Sequence, residues 1–272
     1  MTHYLQRLVL AALAISAVFP LKLAAQQVPP DAVLRNFELS SDYLLEIDGQ
    51  EHPKAKIYQS KTAGAILIRA ASLDSPVLLS PRAGSVETVS IMSLNMQPTG
   101  AIDILANAAL IPQGRFKIDG ENVLFSVGGH EAKLKPRPPL TGLHDRVAML
   151  DHSPAYGPKA EAYTPDPAVL DRLRQQDQPV RVRVFFGSWC PFCQQYVPRM
   201  LKVDELLAGS KIEIEYYGLP HPPWDDEPAV KAEKVSGVPT GIVYAGSREL
   251  GRIQGDQWSN PEKAIRAILG DG

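Results

Sequence analysis

Val180-Arg181-Val182-Arg183-Val184-Phe185-Phe186-Gly187-Ser188-Trp189-Cys190-Pro191-Phe192-Cys193 is the stretch on which the reading of this chain turns. Residues 180–186 are rich in β-branched and aromatic side chains and predict a strand. Gly187-Ser188-Trp189 predicts a turn. From Pro191 to about Leu207 the pattern predicts a helix, with the proline in its first turn, where a missing N–H costs nothing. Cys190 then falls at the helix N-terminus, where free N–H groups and the macrodipole favour a thiolate. The thiolate is the nucleophile in disulfide exchange. Cys193, one turn on, is placed to attack a mixed disulfide and release the partner. This chemistry assigns Cys190 as attacker and Cys193 as resolver. Half a zinc site is another reading of a CxxC pair. Structural zinc usually takes four ligands, and the chain has only these two cysteines.

Working outward, Ala168, Val169, Leu170 and Leu173 predict a short helix, with Thr164 or Asp166 near its start. Ile212–Tyr217 predicts a strand and residues 228–235 a short helix. Gly241–Tyr244 and Glu249–Ile253 have hairpin spacing. Ser259-Asn260-Pro261-Glu262 opens a last helix, with Ala264, Ile265, Ile268 and Leu269 on its apolar face. The order is β-α-β-α-β-β-α after one helix.

At these residues the chain resembles the thioredoxin superfamily. The segment Phe185–Cys193, with Trp189 before the first cysteine, carries the resemblance. So do Pro198, five residues after Cys193, and Gly237-Val238-Pro239-Thr240, which is similar to the family's cis-proline loop. The resemblance covers about residues 164–272. It implies an α/β thioredoxin-like C-terminal domain, a central mixed sheet flanked by helices, preceded by a β-rich N-terminal domain. It also implies a cis bond between Val238 and Pro239 and a substrate-binding role for Trp189, Val238, Pro239 and Thr240. The chain departs from the family at Val184, where thioredoxins carry a buried aspartate. Pro191-Phe192 between the cysteines looks more like glutaredoxins and some exported disulfide enzymes. Reduction potentials across such proteins span about 150 mV, so four residues do not set the direction of transfer.

Gly218–Glu227 (GLPHPPWDDE) joins a strand to the 228–235 helix. His221, Trp224 and Asp225 or Asp226 there are candidates to touch substrate or Trp189. A surface proline loop with Trp224 over apolar surface is the alternative.

Residues 28–135 read as a β-rich domain of unknown role. Tyr43–Ile47, Asp48-Gly49 and 54–59 read as a hairpin. Residues 86–96 read as one longer strand, with Met92, Leu94 and Met96 on one face. Residues 116–118, 123–127 and 132–134, separated by Asp119-Gly120 and Gly128-Gly129, read as a meander. Turns at this spacing favour a sandwich or small barrel. Residues 136–163 read as a proline-rich connector, with one short helix over 143–150. His144-Asp145 and Asp151-His152 read as solvated connector residues rather than metal ligands, and Met92 and Met96 as core rather than copper ligands.

The 272 residues carry 28 basic and 30 acidic side chains, for a formal charge of −2. That balance gives no footprint for nucleic acid. The 44% hydrophobic content argues against a mainly disordered chain. Residues 1–25 read as a cleaved signal peptide: Arg7, an apolar run over Leu8–Phe19, a break at Pro20, and Ala24-Ala25 at the cleavage position. The run is short for a membrane span. No stable span is expected, and the location expected is periplasmic or secreted.

The expected function is an exported thiol–disulfide oxidoreductase with Cys190 and Cys193 as catalytic residues and neither cofactor nor metal. Its expected partners are protein thiols or disulfides and a dithiol protein that donates or accepts electrons. One alternative is a non-catalytic binding or redox-sensing protein whose β-rich domain carries the function. A second is a copper-delivery protein that uses the dithiol with Met92 and Met96.

Overall fold

A computed structural model describes residues 26–27 and 34–270. The export signal expected over residues 1–25 lies outside them. Closely spaced turn residues keep the strands of the first half short. They are β1 (Gln26–Gln27), β2 (Glu38–Ser40), β3 (Tyr43–Ile47), β4 (Gln50–Glu51), β5 (Lys56–Ser60), β6 (Ala65–Arg69), β7 (Val77–Ser80), β8 (Ser85–Val89), β9 (Leu94–Met96), β10 (Ile102–Ile104), β11 (Ala109–Arg115), β12 (Lys117–Asp119), β13 (Asn122–Val127) and β14 (His130–Pro136). One sheet runs β1-β11-β8-β7-β6-β5-β2, a second β12-β13-β14-β3-β4, and β9 pairs with β10 in a ribbon.

Period-2 alternation assembles these layers. Ile57, Ile68, Val77, Leu79 and Val86 leave one face of the seven-stranded sheet and meet Leu45, Ile47, Phe125, Val127 and Leu134 of the five-stranded sheet. Tyr58, Leu67, Leu78 and Val89 leave the other face and pack with Phe37, Ile102, Ile104 and Leu110. Each buried aliphatic side chain is worth about 1.5–3 kcal/mol. A one-residue slip would exchange the two faces, so packing fixes the register.

Two local expectations are corrected. Asp48-Gly49 does turn the chain, with positive φ at both residues. However, β3 pairs across it with β4, while β5 joins β2 and β6 in the other sheet. Residues 86–96 are two strands, not one. Ser90 breaks them, its hydroxyl accepting from the Met92 N–H to cap a 3-10 turn over Ile91–Ser93. The break turns Met92 and Met96 outward, 84% and 58% exposed, rather than into the core.

The second half is built on a fourth sheet, of five strands, β15 (Gly142–His144), β16 (Val180–Phe186), β17 (Ile212–Gly218), β18 (Thr240–Ala245) and β19 (Arg248–Ile253), in the order β15-β17-β16-β18-β19. Only β16 and β17 are parallel. Its helices are α1 (Arg146–His152), α2 (Tyr156–Glu161), α3 (Pro167–Arg174), α4 (Pro191–Leu206), α5 (Pro228–Glu233) and α6 (Pro261–Leu269). Val182, Val184, Phe186 and Tyr216 pack with Val197, Met200 and Leu201 of α4 and Ile265 of α6. Phe185, Ile242 and Tyr244 pack with Val230 and Val235. The proline-rich residues 136–163 supply β15, α1 and α2, because their prolines fall before β15, between the helices and in the first turn of α2.

The fold class is thereby corrected. An α/β thioredoxin-like arrangement after a β-rich domain was the expectation. The described residues are instead mainly β: nineteen strands in four sheets against six α-helices, of which only α4 exceeds nine residues. The physical reason is the density of turn residues, which breaks most of the chain into short antiparallel strands and leaves few windows long enough for a helix. Among the described residues, no helix is long and apolar enough to cross a membrane.

One acid sits uneasily in this packing. Asp204 of α4 accepts from the Tyr216 hydroxyl at 3.1 Å. Burial pushes its carboxyl up to about 6, against the pull of that hydrogen bond and of Arg146. A folded-state pKa raised above the unfolded value adds stability at low pH that is lost as pH rises through about 6. Asp204→Asn keeps the acceptor and removes the charge. Its melting temperature should exceed that of the parent at pH 7.5, with the gain gone at pH 4; thermal unfolding at the two pH values checks this.

Candidate functional site

Cys190 is the N-cap of α4, in extended backbone, and Pro191 fills the first helical position. The Cys190 thiol is nearly buried, 6% exposed, and Cys193 is fully buried. Both are free cysteines. The Cys190 Sγ faces the Val238 carbonyl at 3.8 Å, and the Cys193 Sγ accepts from the Gly187 N–H at 3.4 Å. The Val238–Pro239 bond is cis, as the sequence leads one to expect; Pro222–Pro223 is cis as well.

The electrostatics of the two sulfurs diverge. The Cys193 thiol, donating to the Cys190 sulfur, is the largest influence on Cys190. With the Cys193 and Phe192 N–H groups it outweighs burial and lowers Cys190 to about 6. Burial, and then the Cys190 thiolate itself, push Cys193 far up. At neutral pH one sulfur is a thiolate and its neighbour a protonated donor.

Trp189 is fixed from two sides. Its indole N–H donates to the Leu219 carbonyl at 3.0 Å, and its ring stacks on His221 at 4.7 Å, with Trp224 at 6.4 Å. The 218–227 loop therefore touches Trp189 through His221 and Trp224. Trp224 is itself held by the Pro220 carbonyl at 2.8 Å. Gly187 is required beneath this stack: a Cβ there would come within 2.6 Å of the Trp189 ring.

On the far side of Cys190 lies an open groove of about 440 Å³, lined by Phe192, Tyr196, Val238, Pro239, Thr240 and Trp258 among others. Phe192 is 66% exposed at its rim. Trp258, buried, donates from its indole N–H to the Pro239 carbonyl at 3.1 Å, and Thr240 Oγ1 donates to the Gly237 carbonyl at 2.8 Å. All six residues read from the sequence as catalytic or substrate-binding thus gather around the dithiol. Two neighbours were missed. Trp258 lies in the 3-10 turn before the last helix, and its approach to Pro239 is tertiary. Tyr156, buried in α2, stands close enough to both sulfurs that their charge adds to burial in raising its hydroxyl. Nothing local in the proline-rich stretch signals that contact. Val184, at the family's aspartate position, is buried in the apolar core.

His144 and His152 are engaged by carbonyls, of Thr141 at 2.9 Å and Pro138 at 3.0 Å. No group of three or more His, Cys, Asp or Glu among the described residues is placed to hold a metal ion.

No family model matches the chain, and no curated protein matches it. Among the solved structures that resemble part of it are the following two. One is a protein of unknown function from Pseudomonas aeruginosa, 18% identical, with a TM-score of 0.33, covering 46% of this chain and 81% of that one. The other is an HIV epitope scaffold, 18% identical, with a TM-score of 0.32, covering 46% and 82%. At such scores neither likeness bears on fold or function.

Alkylation of the reduced protein should modify Cys190 alone, with the rate rising through a midpoint near pH 6. A free thiol would give a midpoint of about 8.5. Peptide mapping of the labelled protein at each pH distinguishes the two; equal labelling of Cys193 would contradict the assignment.

Proposed function

We propose that the protein is an exported thiol–disulfide oxidoreductase that exchanges disulfides with protein partners in the periplasm or outside the cell. The observation that carries this reading is the placement of Cys190 as the N-cap of α4, its sulfur against the Val238 carbonyl, with Cys193 fully buried one helical turn on. Hydrogen bonding favours a thiolate on the first and burial a thiol on the second. The proposed place in the thioredoxin superfamily rests on the motifs at Cys190–Cys193, Pro198 and Pro239.

The chemistry balances without a cofactor. The Cys190 thiolate attacks one sulfur of a partner disulfide. A new S–S bond forms, the old one breaks, and the partner's other sulfur leaves as a thiolate that takes a proton from water. Once Cys190 is tied up in the mixed disulfide, its negative charge no longer opposes ionisation of Cys193, and only burial does. Cys193 attacks the Cys190 sulfur as its proton passes, directly or through water, to the departing partner sulfur. The mixed disulfide breaks, the Cys190–Cys193 bond forms, and the partner departs as a dithiol carrying two electrons. A second dithiol protein resets the pair. The steps reversed oxidise a partner dithiol.

The groove beside Cys190 gives the partner chain a place to lie. An extended segment running past Val238, Pro239 and Thr240 would bring its own sulfur to Cys190, with main-chain pairing at Val238 in the manner of strand addition. Phe192 and Tyr196 offer apolar contact to neighbouring side chains.

Cys193→Ser should accumulate mixed disulfides with proteins in cells of an oxidising compartment, visible as thiol-sensitive bands on non-reducing gels. Cys190→Ser should accumulate none. Turnover of a small disulfide substrate should fall to background in Cys190→Ser. Full turnover in that variant would overturn the function.

A further inference from the structure

Among the described residues, the β-rich half meets the dithiol helix through a polar contact at Asp42. Asp42 lies in the bend between β2 and β3. Its Oδ1 accepts from the Gln194 side-chain amide at 3.0 Å, and the same Gln194 nitrogen donates to the Ser188 carbonyl at 2.9 Å. Gln194 follows Cys193, and Ser188 precedes Cys190 by two residues. A single amide group thus ties the turn before the dithiol to the helix after it. Asp42 is anchored from its own side, its Oδ2 accepting from Gln59 Nε2 at 3.1 Å.

The surroundings hold this contact in place. The Ser41 hydroxyl accepts from the Ala155 N–H at 3.0 Å, and the Arg137 guanidinium donates to the Ser41 and Tyr43 carbonyls. The Ser188 hydroxyl accepts from the Leu140 N–H at 3.1 Å. Pro198 has no N–H to give the Gln194 carbonyl four residues back. Lys159 of α2 fills that vacancy, its Nζ donating to Gln194 O at 3.1 Å. Arg137 and Lys159 both feel the Asp42 charge. A cleft of about 200 Å³ opens beside the contact, lined by Asp42, Lys61, Tyr156, Lys159 and Gln194 among others.

We propose that Asp42 is a positioning residue for the dithiol: through Gln194, the β-rich half clamps the turn and first helical turn that aim the N–H groups of Phe192 and Cys193 at the Cys190 sulfur. This rests on the redox reading of Cys190 and Cys193 and assigns the β-rich half a part in it. The Cys193 thiol and those two N–H groups, which set the Cys190 thiolate, belong to α4 itself. From another element, the buried Tyr156 hydroxyl of α2 stands close enough to feel the charge of both sulfurs.

The test measures the pH midpoint of Cys190 alkylation in the full protein and in Asp42→Ala, Asp42→Asn and Gln194→Ala. Loosening the clamp weakens the N–H groups' hold on the thiolate. The midpoint in the two alanine variants should rise by about one pH unit, which lowers the alkylation rate at pH 6 about fivefold. Asp42→Asn removes the charge but keeps an oxygen acceptor for Gln194, with Gln59 turning its amide to suit. It should retain the parent midpoint. A parent midpoint in both alanine variants overturns the proposal. So does an equal downward move in Asp42→Asn and Asp42→Ala, which would make Asp42 only a nearby negative charge. If Asp42→Ala fails to fold, Gln194→Ala decides from the other side of the contact. A parent protein whose Cys190 titrates as a free thiol and forms no internal disulfide overturns the redox reading itself. A low parent midpoint with unmoved variants removes Asp42 alone.

Discussion

A protonated thiol buried one helical turn from a thiolate is the interaction on which the rest depends. Cys193 has no exposed surface, so ionising it would place charge in the apolar packing beneath α4. It keeps its proton and turns it toward Cys190, which becomes the better anion for it. That asymmetry needs the β16–turn–α4 junction to hold both sulfurs in place. The junction in turn needs Gly187 under the Trp189 ring and the aromatic stack with His221 and Trp224 above it.

The sheets supply the stiffness. In the second half, β16 is the strand from which the dithiol turn departs, and it is hydrogen-bonded on both sides, by β17 and β18. In the first half, two antiparallel sheets share an apolar core and carry the β2–β3 bend out to Gln194. Around the bend the two halves are joined by the Arg137 guanidinium on the Ser41 and Tyr43 carbonyls, the Ala155 N–H on the Ser41 hydroxyl and the Asp42–Gln194 contact. A neutral bond of this kind is worth about 0.5–1.5 kcal/mol net and one to a charged group about 1.5–3 kcal/mol.

What the sequence made legible follows from how local each signal is. The strand over 180–186, the helix after Pro191 and a helix start at Thr164 or Asp166 depend on near neighbours; the first two lie where those neighbours place them, and of the two candidates Asp166 is the cap. The meander read over 116–134, through Asp119-Gly120 and Gly128-Gly129, is legible for the same reason and runs in the structure over β12, β13 and β14. Sheet membership is decided elsewhere. Gly142–His144 becomes an edge strand only because Tyr216–Gly218, far along the chain, lies beside it. Residues 56–60 leave the expected hairpin because β4 takes the place beside β3, while β5 pairs with β2 and β6 in the other sheet. Met92 and Met96 alternate as core residues should, yet Ser90 caps a turn that carries them to the surface. The overall fold class was misjudged through these pairings, since most of the chain's strands find partners that no local pattern names. The six residues named for the site come together because β16 and β18, which carry residues 189–193 and 238–240 at their ends, pair side by side. Tyr156 and Asp42 were invisible because their approach to α4 is tertiary.

A redox titration of the wild-type protein in thiol–disulfide buffers, followed by trapping and intact mass, tests the central claim most directly. A redox-active pair at Cys190 and Cys193 predicts a reversible loss of two hydrogens within one chain. The transition should follow a two-electron curve, tenfold in the ratio of the two forms for each ~30 mV. A protein that stays a dithiol across the whole range, or that forms only disulfides between chains, would contradict it.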